Sequence, residues 1–326
     1  MPPIRTPDEP PSYGPASRVG AGFQARAEAR QRRYRAEVLG VGHAEYGHWL
    51  DDEAAGEGAN FVVPGCHRAA LDRQAAGKGV APRTFNNMLA SQTMAFNVFT
   101  PLAADPDLAT SVLAPLVPGL LAVRRIIPEY TPEAAVFRDQ RGTAGVDCDL
   151  LIEATLDVGR VVIAVETKFV EEEFSTCGHR KAKKRKLGRA CPEDVPVGTS
   201  RSACAYQGSN RFAYWQRADE HATLLTLPAT GCPFGGPFWQ LWVNHTLAHV
   251  EAARRGADHA RYMVCAPSAN DALLRGGRVL SSFRALLAKP ETVGFLGLDD
   301  VIARIAQIGR GPPGWVEGIT ARYAGI

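Results

Sequence analysis

Between Leu150 and Phe169 the apolar residues settle into a period of two. Leu150, Ile152, Ala154 and Leu156, then Val161, Ile163, Val165 and Phe169, fall on one face of two short strands, with Thr167 the polar member of that face. Such alternation predicts a β-hairpin with one side against the core. A turn at Val158-Gly159 sets Asp157 opposite Arg160, Asp149 opposite Lys168 and Leu151 opposite Glu166. Asp149, Glu166 and Lys168 then emerge together on the other face, within cross-strand or diagonal reach.

Elsewhere the period is helical. Arg83–Leu102 carries Phe85, Met88, Leu89, Met94, Ala95, Val98 and Phe99 as a core stripe. Ser91, Gln92 and Asn97 interrupt it as hydrogen-bonding positions, with Gln92 a candidate support for the site. Pro237–Arg254 repeats the pattern through Phe238, Leu241, Trp242, Leu247 and Val250, and Gln240 and Asn244 lie one turn apart on that helix. His245 and His249 have the same spacing, but no Glu follows the first as in a metalloprotease helix, so an ordinary helix surface is expected. A helix near Leu108–Val123, strands at Arg124–Ile127, Ala135–Phe137 and Ala260–Pro267, and helices near Asp271–Ala288, Asp299–Gly309 and Trp315–Tyr323 complete the core. Residues 40–82 read as polar loops around a short strand at Asn60–Val63.

Residues 1–20, rich in Pro, Gly and Ser, are expected to form a disordered tail, and 21–326 a single domain. Gly22–Leu39 is a basic helix carrying Arg26, Arg30, Arg32, Arg33 and Arg35; a solvated face is expected, with phosphate contact the alternative. The 45% hydrophobic composition suffices for a sizeable core. No apolar run reaches the roughly 20 residues that cross a bilayer, and the first residues have no leader pattern, so a cytoplasmic protein without membrane contact is expected.

A formal net charge of +3 makes any nucleic-acid signal a local one. It is concentrated at Arg180–Arg189, where Lys181, Lys183, Lys184, Arg185 and Lys186 could attract a phosphate backbone. The surrounding insertion, 170–235, also holds Cys177, Cys191, Cys204 and Cys232, four of the seven cysteines. In a chain without an export signal they read as thiols or as ligands for Zn2+ or an iron-sulfur cluster, although their long separations contain no C-x-x-C pair.

An Asp followed after a turn by Glu-x-Lys suits metal-assisted phosphodiester hydrolysis. Asp149 and Glu166 supply hard oxygens for Mg2+ or Mn2+, and Lys168 supplies a charge beside the reacting phosphate. Asp147 shares a face with Asp149 and rivals it as the metal ligand.

At these residues the chain resembles the PD-(D/E)XK nuclease superfamily, the restriction-endonuclease-like group. Asp149 looks like the motif acid and Glu166-Thr167-Lys168 like the E-x-K element, while Cys148 stands where the family has Pro. Element order over about 83–267 is also similar: helix, three strands, helix, strand. The resemblance implies an α/β fold with a mixed central sheet flanked by helices, and a cysteine-bearing insertion and terminal helices outside the core. It implies catalytic Asp149, Glu166 and Lys168, a polar helix residue in Gln240, and a metal-dependent nuclease acting on nucleic acid, DNA being the usual substrate. A non-catalytic nucleic-acid-binding module on the same fold is the alternative.

Overall fold

A computed structural model describes residues 9–77, 79–138, 146–178, 196–202, 204, 206–207, 212–221 and 225–326. Five strands form one sheet in the order β1 (Leu120–Tyr130), β2 (Cys148–Leu156), β3 (Gly159–Thr167), β4 (His259–Ala266) and β5 (Val293–Gly297). The first three are antiparallel; β3, β4 and β5 run parallel. The main helices are α1 (Phe23–Tyr34), α2 (Pro64–Ala75), α3 (Ser91–Ala104), α4 (Pro106–Leu113), α5 (Phe238–Arg254), α6 (Leu298–Ile308) and α7 (Trp315–Tyr323).

Helices cover both faces of the sheet. Leu150, Ile152, Ala154, Leu156, Val161, Ile163 and Val165 pack into one cluster with α1, α2, α3, α4, α6 and α7. Leu151, Val162, Ala164, Tyr262 and Val264 pack into a second cluster with α5 and the short helices that follow β4. A mixed sheet buried on both sides leaves its functional residues only at strand ends, where the apolar alternation stops.

The hairpin turn falls at Asp157-Val158, one residue earlier than expected, and Leu156 pairs with Gly159. Gly159 is needed for close approach: its φ is +134°, and an added Cβ would stand 2.8 Å from Asp258 Oδ2. Asp258 uses that carboxylate to accept from Arg160 N at 2.9 Å. The shift keeps every side chain on its expected face but changes the partners.

Other elements also differ from expectation. Arg83–Leu102 breaks after Asn86, because Asn87 turns its Oδ1 back to accept from Leu89 N at 2.9 Å before α3 begins. Asp105 ends α3 and caps α4, accepting from Leu108 N at 2.9 Å ahead of Pro106, and α4 stops at Leu113. β1 continues through Pro128, which an edge strand tolerates. Ala134–Phe137 is a turn of helix, and Asn60–Val63 is an irregular segment held by the Asn60 side chain. Asp271–Leu274 and Arg278–Arg284 are separate helices, split where Arg275, Gly276 and Gly277 take positive φ. Of the expected tail, residues 1–8 lie outside the described residues; within 9–20, Tyr13 and Ala16 are buried, and Ser17 donates through N and Oγ to Glu28.

The basic helix is not one solvated face. Arg32 and Arg35 are buried; Arg32 pairs with Glu9 at 2.7 Å, and Arg35 Nε donates to Gly47 O at 2.7 Å. Arg322 on α7 is fully buried and reaches Gln31 Oε1 and Asn60 Oδ1, both at 3.0 Å, between the rings of Tyr34 and Tyr323. Its guanidinium ties α7 to α1 and to the Asn60 segment. Arg322→Met therefore strands several buried acceptors at about 1–3 kcal/mol each. Urea unfolding should show a loss of at least about 3 kcal/mol, whereas Arg310→Met, at an exposed ion pair, should stay within about 1 kcal/mol. Equal losses would contradict this role for Arg322.

Candidate active site

The site forms where β2 begins and β3 ends. Leu150 pairs with Val165, so one step further Asp149 stands opposite Glu166, and Asp147 lies beyond it toward solvent. The expected pairing of Asp149 with Lys168 is thus corrected by the shifted turn. Between the two acids, the register favours Asp149 as the partner of Glu166. Thr167 N and Oγ1 both donate to Asp149 Oδ2 at 2.6 Å, which fixes the carboxylate beside the end of β3.

Glu166 is 5% exposed and Lys168 7%. Lys168 Nζ lies 2.9 Å from Glu166 Oε1, and its backbone N donates to Cys265 O at 2.8 Å, extending the parallel register past β3. Gln240 Nε2 donates to Glu166 Oε1 at 2.6 Å, and Asn244 Nδ2 to Oε2 at 2.7 Å. The one-turn spacing on α5 places both amides on one carboxylate. Gln240 Oε1 accepts from Ser175 N at 3.0 Å, which fixes which end of its amide faces Glu166. Burial pushes Glu166 up to about 8 against the pull of Lys168. Burial works to lower Lys168, but Glu166, Glu171 and Asp149 outweigh it and hold the ammonium protonated above its ordinary range.

A further carboxylate, Glu129, was not anticipated. It lies in β1 between Pro128, paired with Leu150, and Tyr130, paired with Cys148, and so faces Asp149. It is 5% exposed with φ +48°, and among the described residues its Oε1 has no hydrogen-bond partner. Gln92 reaches it from α3, donating to Oε2 at 2.8 Å, while its own Oε1 accepts from Thr84 Oγ1 at 2.7 Å. Gln92 therefore acts on Glu129 and not on Glu166. Burial, then Asp149, raise Glu129 well above the usual carboxylate range. The strand expected at Arg124–Ile127 stops two residues short of Glu129, and no local pattern marks that acid as part of the site.

The donor set is one of hard oxygens. Among the described residues no three His, Cys, Asp or Glu side chains close around a single point. Asp149 and Glu166 offer hard carboxylate oxygens, the donors that a divalent cation keeping its own waters takes from one or two side chains. With Glu129 Oε1 orphaned and Glu129 and Glu166 both raised, the site carries more buried carboxylate than the Lys168 ammonium alone offsets.

The remaining candidates lie elsewhere. Cys204 Sγ accepts from Trp215 Nε1 at 3.2 Å, Cys177 is buried and Cys232 half-buried; these three form no metal cluster among the described residues, and Cys191 falls outside them. Lys181, Lys183, Lys184, Arg185 and Lys186 also lie outside the described residues. His245 is buried and bonded through Nε2 to Thr292 Oγ1 at 2.9 Å, so it is an interior packing residue; burial lowers both it and His249, the latter to about 4.

A mixed sheet between helical layers, with an acid on β2 and Glu-x-Lys at the end of β3, defines a restriction-endonuclease-like α/β protein. The family model described as PD-(D/E)XK nuclease superfamily matches residues 18–196 and 214–325, most of the chain, and the chain belongs to that superfamily. No curated protein and no solved structure matches it.

Glu129 allows a test of the electrostatics. Its folded-state proton affinity is raised, so its charge destabilises the fold increasingly as pH rises above the ordinary glutamate value. Glu129→Gln should stabilise the metal-free protein by at least about 1 kcal/mol at pH 8 and by much less at pH 5, read from thermal melts at both values. A difference independent of pH would contradict the assignment.

Proposed function

We propose that the chain is a metal-dependent nuclease that hydrolyses phosphodiester bonds, with DNA as substrate. The observation that carries this reading is the meeting of Asp149 and Glu166 across one rung of the β2–β3 hairpin with Lys168 on the Glu166 carboxylate. Asp149 and Glu166 would hold Mg2+ or Mn2+. When bound, the ion supplies Lewis-acid polarisation of the phosphate and a water of lowered pKa.

The protein's own groups do the rest. Thr167 fixes Asp149 through two hydrogen bonds, so that acid arrives at the reaction already oriented. Gln240 and Asn244 hold the two oxygens of Glu166 from one face of α5, and Ser175 holds Gln240. Lys168 keeps its proton, which makes it a donor: it orients the attacking water and stabilises charge as it develops on the phosphate. The burial of Lys168 and Glu166 strengthens both interactions by excluding solvent.

Incubation of the purified protein with single-stranded, duplex and branched DNA and Mg2+ or Mn2+ tests the proposal. Wild type should cleave at least one substrate, Lys168→Ala should lose about 100-fold or more, and Gln240→Ala about 10-fold. Equal cleavage by wild type and Lys168→Ala would assign the activity to a contaminant or to another site.

A further inference from the structure

The expected basic helix splits into two sets of arginines. Arg32 and Arg35 face inward; Arg32 donates to Gly14 O, and Arg35 to the carbonyls of Ser12, Val41 and Gly47. Arg26, Arg30 and Arg33 face outward and line a groove of about 490 Å3, walled on its other side by the end of α7 at Ala321 and Gly325. Arg26 and Arg33 are exposed and Arg30 half-buried. Among the described residues none of the three forms an ion pair: Arg26 Nη1 donates to Ala21 O at 2.5 Å, Arg30 Nη1 to Ala321 O at 3.2 Å, and the Arg33 guanidinium lies 6.0 Å from the centre of the Tyr13 ring. Glu37, the acidic residue of the groove, lies one helical turn beyond Arg33 and accepts from the Tyr13 hydroxyl.

This groove is joined to the active site by the helix that carries it. Phe23, at the start of α1, packs edge-on against Phe169 at 6.4 Å, and Gln24 Nε2 donates to Asn270 Oδ1 at 3.0 Å. Asn270 Nδ2 in turn donates to Phe169 O at 3.0 Å and Glu171 O at 2.9 Å, the segment straight after Lys168. The arginine row therefore begins beside the end of β3 and runs away from it along a rigid helix.

We propose that Arg26, Arg30 and Arg33 bind the phosphate backbone of the nucleic-acid substrate and lead it to the site at Asp149, Glu166 and Lys168. Spaced four and three residues apart, the row covers about 10 Å of helix at about 1.5 Å per residue. One strand of a duplex presents about three phosphates over that length, at about 3.4 Å each. Guanidinium groups suit phosphate by their forked donors, and a linear row of them on one helix face matches a regularly charged strand. The contact is with backbone, so it carries affinity and register without base specificity.

The proposal rests on the nuclease reading, and the two can fail separately. Fluorescence anisotropy with a labelled 20-base-pair duplex in EDTA, repeated across salt concentrations, measures the contact. For Arg26→Gln/Arg30→Gln/Arg33→Gln the dissociation constant should rise at least tenfold at low salt, and the log–log salt slope should become shallower by about 2 to 3, roughly 0.9 per lost phosphate contact. The corresponding triple substitution to Lys should keep most of the slope, which a merely structural role would not predict. Hydrolysis of bis(p-nitrophenyl) phosphate, too small to reach the groove, should be unchanged in the Gln triple variant. Wild-type binding with an unaltered Gln variant overturns the surface and leaves the nuclease reading standing. A wild type that does not bind the duplex also overturns the surface, whereas the nuclease reading fails only if none of the single-stranded, duplex and branched substrates is cleaved with Mg2+ or Mn2+.

Discussion

The structure turns on the carboxylate of Glu166. Removing a carboxylate and an ammonium from water costs several kcal/mol each, and their mutual attraction offsets this only when the remaining lone pairs and protons are also satisfied. Glu166 meets that condition with three donors, from Lys168, Gln240 and Asn244. Two of the donors come from α5, so the helix must lie across β3 at one depth and rotation. The lysine comes from the residue after the strand, so β3 must end at Thr167. The packing of the second core cluster, with Leu241, Trp242 and Leu247 against Val162, Ala164 and Tyr262, is what holds α5 at that setting.

The first cluster has the complementary task. It joins the outer face of the hairpin to α3 and to both ends of the chain, and Phe169 is the meeting point, touched by Phe23 of α1 and Tyr323 of α7. Packing around Phe169 thus fixes the backbone on which Lys168 stands. Glu129 adds a constraint of opposite sign: a buried acid with an unpartnered oxygen and a left-handed backbone is held in place by its surroundings at a cost to stability. Such local cost at a carboxylate cluster is consistent with a site organised to receive positive charge.

Much of this was legible from residue patterns. The two-residue alternation from Leu150 to Val165 assigned every side chain of the hairpin to its face, and the helical stripe of Pro237–Arg254 placed Gln240 and Asn244 on one side of α5. What could not be read were features set by long-range contact. Gly159 looked like a turn residue because the approach of Asp258, about a hundred positions away, leaves no local trace. β5 was missed because five residues with two glycines carry too little periodicity. The burial of Arg32, Arg35 and Arg322 depends on carbonyls supplied by distant loops, so a strongly charged helix looked solvated. Glu129 was hidden by Pro128, since an edge strand tolerates a proline that an interior strand would not.

The proposed nuclease function requires Asp149 and Glu166 to form one cation site of hard oxygens. Calorimetric titration of the purified, chelator-treated protein with Mn2+ tests it most directly. Wild type should bind Mn2+ with protons released from the raised carboxylates, and Asp149→Asn should bind at least tenfold more weakly with its fold intact. Absence of Mn2+ binding to the wild type, or the same affinity in Asp149→Asn, would contradict the account.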